Sequence, residues 1–246
     1  MTKSAKSRLD ELLVRRGFAD SLSTAKAMIM AAEVIVDDQR IDKPATMVTE
    51  GAAIRLKDNG QFVSRGGDKL NAAIQELDLA NLIRGKTVLD VGASTGGFTD
   101  CVLSHGAANV IALDVGTAQL AWKLRQDSRV CSIEKTDIKN FDPSLHHGID
   151  WVVADVSFTS LARLIPDIKR AAPKATVLLL VKPQFELPRD MVPAGGIVTD
   201  DNDRKQALRD VRDALTRAGY HIISELDAKV AGRQGNREMF IYARPE

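Results

Sequence analysis

A chain of 246 residues with 44% hydrophobic side chains has material for a sizeable core and lies far from a disordered composition. Its 34 Lys and Arg nearly balance 33 Asp and Glu, so bulk charge is excluded as a guide to a nucleic-acid or membrane partner, and any such partner must meet a local patch. Two cysteines without CxxC spacing, Cys101 and Cys131, are too few for a structural zinc site and read as buried thiols in a reducing compartment. The start MTKSAKSRLD lacks the apolar stretch of a secretion signal, and no apolar run approaches the ~20 residues of a membrane span, so a cytoplasmic protein without metal is expected.

In chain order, residues 1–58 show a small α+β pattern. Ser7 and Asp10 predict a capping-box-like start to a helix that carries Leu9, Leu12 and Leu13 and stops at Gly17. A second helix is predicted from Ser21, burying Ala25, Met28 and Ile29. Strands follow at 34–36 and 52–56, with a turn at Asp37-Asp38. Residues 59–68, NGQFVSRGGD, read as a linker. Beyond it strands at 87–91, 109–115, 129–134, 151–156 and 176–182 alternate with helical patterns near 68–78, 96–105, 117–127, 159–171 and 202–218. Such alternation predicts a doubly wound parallel α/β sheet with its ligand at the strand C-termini. The last two strands, 221–230 and 238–244, are joined only by the glycine-containing AGRQGNR and should pair antiparallel.

The stretch VLDVGASTGGFTDCVL carries glycines between a strand and a helix, where a ligand can approach bare backbone at a helix N-terminus. A dinucleotide fingerprint fails because Ser94 holds its second glycine position, and a phosphate loop fails for want of Gly-Lys-Ser/Thr. Asp90, Gly92 and Gly96 instead resemble motif I of methyltransferases that use S-adenosylmethionine. That cofactor carries an ammonium, which Asp90 can face directly or through water, and a carboxylate, which backbone N–H groups from Ser94 to Gly97 can meet. Gly96 is expected against the cofactor's tail, so that a valine there abolishes binding without unfolding the domain. Asp114, 22 residues beyond Gly92, can accept both ribose hydroxyls, and Asp137 the adenine amino group; simple turn and helix caps are the alternative for all three acids.

Four further charged residues stand out: Lys69 in SRGGDKL, Asp155 in WVVADVSF, Lys182 in LLLVKPQFE and Glu238 in GNREMF. Asp155 and Lys182 end the fourth and fifth strands of the predicted sheet, and a structural salt-bridge network is the alternative reading. Taken together, VSRGGDKL, LDVGASTGGFTD, ALDVG, ADVSFTSL, LLLVKPQFE and GNREMF resemble, across essentially the whole chain, the TlyA/hemolysin-A-like ribosomal RNA 2'-O-methyltransferases. Their catalytic domain is of the FtsJ/RrmJ type. The resemblance implies a Rossmann-like methyltransferase domain over 69–246, ribosomal RNA or ribosomal subunits as partner, and cytidines as targets. It also implies a Lys-Asp-Lys-Glu tetrad, carried by Lys69, Asp155, Lys182 and Glu238. Lys182 is then the acceptor of the hydroxyl proton, oriented by Asp155, or else a purely electrostatic orienter.

The resemblance further implies that residues 1–58 are the RNA-binding module named after ribosomal protein S-four. RLDELLVRRG and KPATMV fit that pattern, while Leu22 and Asp37-Asp38 replace its usual arginine and Asn-Gly and remove positive charge. Arg8, Arg15, Arg16, Lys26 and Lys43 remain as phosphate-contact candidates, against the alternative of plain solvated charge. Two other classes compete for the whole chain. A non-catalytic RNA-binding or assembly factor would have no need of tetrad and cofactor turn, and a membrane-lysing protein would need a long amphipathic segment that is not found.

Overall fold

The computed structural model describes residues 6–19, 21–37, 39–56, 61–146, 148–232 and 235–246. Asp38 of the expected turn, residues 57–60 at the expected linker, and Arg233 and Gln234 of the AGRQGNR segment lie outside them. The chain forms two compact units, Met1–Asn59 and Gly60–Glu246.

In the first unit β1 (Lys6–Arg8) leads directly into α1 (Leu9–Arg15), followed by α2 (Leu22–Met30), β2 (Val34–Val36), β3 (Gln39–Arg40), β4 (Met47–Thr49) and β5 (Ile54–Leu56). β1 pairs antiparallel with β4, and β2 is the centre of a three-stranded sheet with β3 and β5. Leu9, Leu12 and Leu13 of α1 pack on Ala25 and Ile29 of α2 and on Val34 and Val36; Met28 is only partly buried. The expected capping box is not formed. Residues 6–8 are drawn into the β1–β4 pair, so the Ser7 hydroxyl donates to Glu50, and the buried Asp10 pairs with Arg8 at 2.7 Å. β1, β3 and β4 are two or three residues long, too short to register as a period-2 pattern. The start of α2 is as predicted: Ser21 Oγ accepts the Thr24 N–H at 3.1 Å.

The second unit opens with α3 (Arg65–Glu76) and α4 (Ala80–Ile83). The expected linker is therefore largely part of this body: Phe62 is buried and α3 starts at Arg65. Then come β6 (Thr87–Val91), α5 (Gly97–Ser104), β7 (Asn109–Leu113), α6 (Trp122–Arg125), β8 (Val130–Ile133), β9 (Trp151–Ala154) and α7 (Leu161–Ala171). β10 (Thr176–Val181), α8 (Pro183–Glu186), α9 (Asp201–Arg217), β11 (Tyr220–Asp227) and β12 (Met239–Pro245) complete it. The helix expected over 117–127 shrinks to four residues because Ala118 takes a left-handed φ of +52° just before it.

The seven strands lie in the order β11-β12-β10-β9-β6-β7-β8, parallel from β10 to β8, with β12 antiparallel to both neighbours. This is the doubly wound α/β sheet with an antiparallel last strand that the element pattern predicts. Alternate residues face opposite layers. Leu89, Ile111, Val152, Leu179 and Ile241 pack with α7 and α9. Val88, Val110, Val153, Leu180 and Phe240 pack with α3 and α5. Full burial of each such side chain contributes about 1.5–3 kcal/mol. Cys131 is a correction to the expected pair of buried thiols: it lies exposed on β8, which has a neighbour on one side only, whereas Cys101 is buried.

Candidate active site

From β6 the chain winds to one side through β7 and β8, then crosses back to β9 on the other side. The crevice at such a switch point, beyond the strand C-termini, is where a doubly wound sheet offers a ligand site. Here the Asp155 N–H donates to the Val91 carbonyl at 3.1 Å, and Gly92 has a φ of +82°. A Cβ at Gly92 would stand 3.1 Å from the Asp155 carbonyl oxygen, so the turn and the end of β9 approach closely because residue 92 has no side chain. A cavity of about 1170 Å³ opens at this point, lined by Gly92, Ser94, Asp114 and Asp137 and by Lys69, Asp155, Lys182 and Glu238. A smaller one of about 140 Å³ shares Gly92, Ser94, Asp155 and Lys182 with it and runs between Ser64, Gly66 and Gly97. A Cβ on Gly97 would strike Ser64 Oγ and stand 2.9 Å from the Gly67 nitrogen, so the N-terminal ends of α3 and α5 meet across bare backbone.

Two of the expected cofactor residues are not where the sequence placed them. Asp90 is fully buried beneath the turn, lining neither cavity, and its Oδ2 accepts the Thr99 hydroxyl at 2.7 Å. Among the described residues its Oδ1 has no hydrogen-bond partner, and burial first, then the charge of Asp155, pushes its carboxyl up to about 7. Gly96, at φ +93°, points its missing side chain into the core: a Cβ there would run into Leu124 and stand 2.7 Å from Leu120. The turn folds over those leucines, so residue 96 does not face the cavity. Asp114 does. Its Oδ2 accepts the Ser94 N–H and its Oδ1 the Gly116 N–H, both at 2.7 Å, which leaves lone pairs on each oxygen. This bond also takes one of the backbone donors expected for a ligand carboxylate. Asp137 both lines the large cavity and caps a 3-10 turn through the Lys139 N–H at 3.0 Å.

The four residues of the predicted tetrad come together as two ion pairs in one cavity. Lys69 on α3 reaches Glu238 at 2.6 Å, and both are buried. Lys182, at the tip of β10, lies 2.5 Å from Asp155 Oδ1 in a charge contact without hydrogen-bond alignment, and donates to Ser157 Oγ at 2.9 Å. Glu238 reaches this end of the sheet because β12 runs antiparallel: Met239 is the register partner of Val181, so the residue before β12 meets the residue after β10. A parallel last strand would carry Glu238 to the opposite edge.

Sequence reasoning missed several residues of this cleft. Ser157 holds Lys182; Phe158 lines the cavity at 92% exposure with a φ of +63°, its ring 5.3 Å from that of Phe185. Buried Asn236 ties the Val198 N–H (2.8 Å) and the Gly196 carbonyl (2.7 Å) to the segment leading into Glu238. The signal was adjacency: Ser157 and Phe158 follow Asp155, and Asn236 precedes Glu238 by two. In the first unit, Arg8 pairs with Asp10, Arg15 with Glu50 at 3.2 Å, and Arg16 donates to the carbonyls of Ala52 and Glu50, while Lys26 and Lys43 are exposed. A guanidinium has five donors, so these bonds orient the arginines without exhausting them.

Comparison with known proteins places this geometry. Residues 62–245 match the FtsJ-like methyltransferase family and residues 7–54 the S4 domain. The chain is 39% identical to the Mycobacterium tuberculosis 16S/23S rRNA (cytidine-2'-O)-methyltransferase TlyA, over 98% of this chain and 91% of that one. It is 37% identical to Brachyspira hyodysenteriae Hemolysin A, over 94% and 97%. The solved structure of a hemolysin-type protein from Streptococcus thermophilus superposes with a TM-score of 0.72 at 34% identity, covering 99% of this chain and 90% of that one. The chain belongs to the TlyA/hemolysin A family, an FtsJ-like, S-adenosylmethionine-dependent methyltransferase domain behind an S4 domain.

Proposed function

We propose that this protein methylates a ribose 2'-hydroxyl of ribosomal RNA, a cytidine, with S-adenosylmethionine as donor. The observation that carries the reading is the pair of ion pairs, Lys69–Glu238 and Lys182–Asp155, in one cavity at the switch point of a methyltransferase sheet. The residues present fit the cofactor. Asp114 offers a carboxylate to ribose hydroxyls, Asp137 lines the same cavity, and the small cavity between the N-terminal ends of α3 and α5 suits a carboxylate-bearing tail. Bound there, S-adenosylmethionine supplies a methyl group on a sulfonium sulfur.

The chain's own part is to bind, orient and take a proton. Lys182 Nζ, fixed between Asp155 and Ser157, in its neutral form accepts the proton of the attacking hydroxyl. Asp155 orients it. Lys69 and Glu238 hold the ribose beside them and balance each other's charge. Phe158, an exposed ring on the cavity wall, offers a face to a base, and the first unit with Lys26 and Lys43 exposed supplies phosphate contacts. The resemblance to TlyA favours this reading over a binding-only factor, since the tetrad is complete.

The test is transfer of labelled methyl groups onto purified ribosomal subunits, followed by mapping of the modified nucleotide. Lys182→Ala is expected to bind cofactor and RNA nearly normally while losing about 10²–10⁴-fold or more of the transfer rate. Activity retained within a few-fold makes Lys182 structural and refutes the tetrad reading.

A further inference from the structure

Glu186 takes no step in the reaction above, yet its carboxylate joins the two loops that carry Lys182 and Asp155. It closes α8, one turn beyond Lys182, whose carbonyl accepts the Phe185 N–H at 2.9 Å. Its Oε1 accepts the Leu161 N–H at 2.7 Å, while Oε2 accepts the Ser160 hydroxyl at 2.8 Å and the Ala162 N–H at 3.2 Å. These are the opening groups of α7, whose own N-cap, Ser160, makes no side-chain capping bond. The eleven-residue helix is therefore capped from a different loop, and a carboxylate suits its positive end.

The placement is costly by itself. Glu186 is largely buried, and burial first, then the charge of Asp210, pushes its carboxyl upward against the hydrogen bonds it accepts. What it gains is a fixed junction. Segment 155–160 carries Asp155, Ser157 and Phe158, and segment 182–186 carries Lys182 and Phe185. Across the gap run the Lys182–Asp155 contact at 2.5 Å, the Lys182–Ser157 bond at 2.9 Å and the Phe158–Phe185 ring contact at 5.3 Å. All of these depend on how the two segments are held, and three bonds of Glu186 hold them.

We propose that Glu186 is a positioning residue for methyl transfer: by capping α7 from the segment that follows Lys182 it sets Lys182 against Asp155 and Ser157. The inference rests on the reading of Lys182 as the proton acceptor. A misplacement of about 1 Å in a reacting group can cost ~10²-fold in rate, so the consequence belongs in turnover rather than in binding.

The experiment uses the full chain, saturating S-adenosylmethionine and the ribosomal substrate, with Glu186→Gln, whose amide nitrogen cannot accept the bonds of α7. Leu215→Ala, in the buried core and lining neither cavity, serves as a variant destabilised without touching the junction. Glu186→Gln is expected to lower kcat about 10- to 100-fold while KM for RNA and the calorimetric cofactor affinity stay within about three-fold; Leu215→Ala keeps its kcat at temperatures where it is folded. A kcat for Glu186→Gln within about two-fold of wild type, or a loss no larger than that of Leu215→Ala, overturns the proposal. Should Glu186→Gln fail to fold, Ser160→Ala, which removes one bond of the three, decides: a kcat loss at unchanged KM supports the proposal and an unchanged kcat overturns it. Lys182→Ala is measured alongside. Retained activity there overturns both the reading and this inference, whereas lost activity there with wild-type turnover in Glu186→Gln overturns the inference alone.

Discussion

Asp90 shows how burial, reinforced by a neighbouring carboxylate, can turn a carboxylate into a pH-dependent liability. Its carboxyl, ordinarily near 3.8, is pushed up to about 7 by desolvation and then by the charge of Asp155, against the Thr99 hydrogen bond. Between those values the folded state keeps a proton that the unfolded chain has released, so stability falls as pH rises from about 4 to about 7 and stays lower above it. Asp90→Asn removes this dependence. Urea midpoints of wild type and variant, compared at pH 5 and pH 8, should move in the variant's favour at the higher pH; a constant difference refutes the assignment. Lys69 is the opposite case, a buried charge fully met by Glu238. Lys69→Met leaves that carboxylate alone in the cleft and should cost about 3–5 kcal/mol in urea unfolding, besides abolishing methyl transfer.

The β6–α5 turn lines both cavities of the cleft, and its glycines do different work. Gly92 lets the turn lie against β9, Gly97 lets α5 meet α3, and Gly96 lets the chain pass over Leu120 and Leu124 in a left-handed conformation. Gly96→Val should therefore destabilise the domain by about 2–4 kcal/mol through strain and overpacking, read as a fall in the unfolding midpoint. Loss of cofactor binding in a domain of unchanged stability would contradict this geometry. Asp114 is the residue whose loss should read out chiefly in cofactor affinity. Asp114→Ala is expected to weaken calorimetric affinity by about 10- to 100-fold, the worth of hydrogen bonds to a charged group. Its removal also frees the N–H groups of Ser94 and Gly116.

At the scale of the whole molecule, the two units have separate cores. Leu9 to Ile54 close one, and the two faces of the seven-stranded sheet close the other two. A fragment beginning at Gly60 should fold and bind S-adenosylmethionine, because sheet, turn and tetrad all lie within it. Its methylation of ribosomal RNA should collapse, and its RNA affinity should fall less steeply with salt, since each phosphate-neutralising Lys or Arg lost removes part of that slope. Full methylation by the fragment at equal salt would show that RNA is captured elsewhere.

Much of this molecule was legible from the sequence, because the signals are local. Strand-length apolar runs separated by helical patterns determine a doubly wound sheet, a short glycine connection determines that the last two strands pair antiparallel, and acids and lysines at the strand tips mark the cleft. Tertiary structure decided what depends on packing between distant segments. Which way Gly96 faces was settled by Leu120 and Leu124, 24 and 28 residues away in sequence. Asp90 sank beneath the turn because Thr99 of the following helix could satisfy one of its oxygens there. The strand before α1 formed only because residues 47–49 return beside it. Glu186 acquired its role from a helix that starts 25 residues earlier in the chain, and no periodicity along one segment can announce a hydrogen bond made to another.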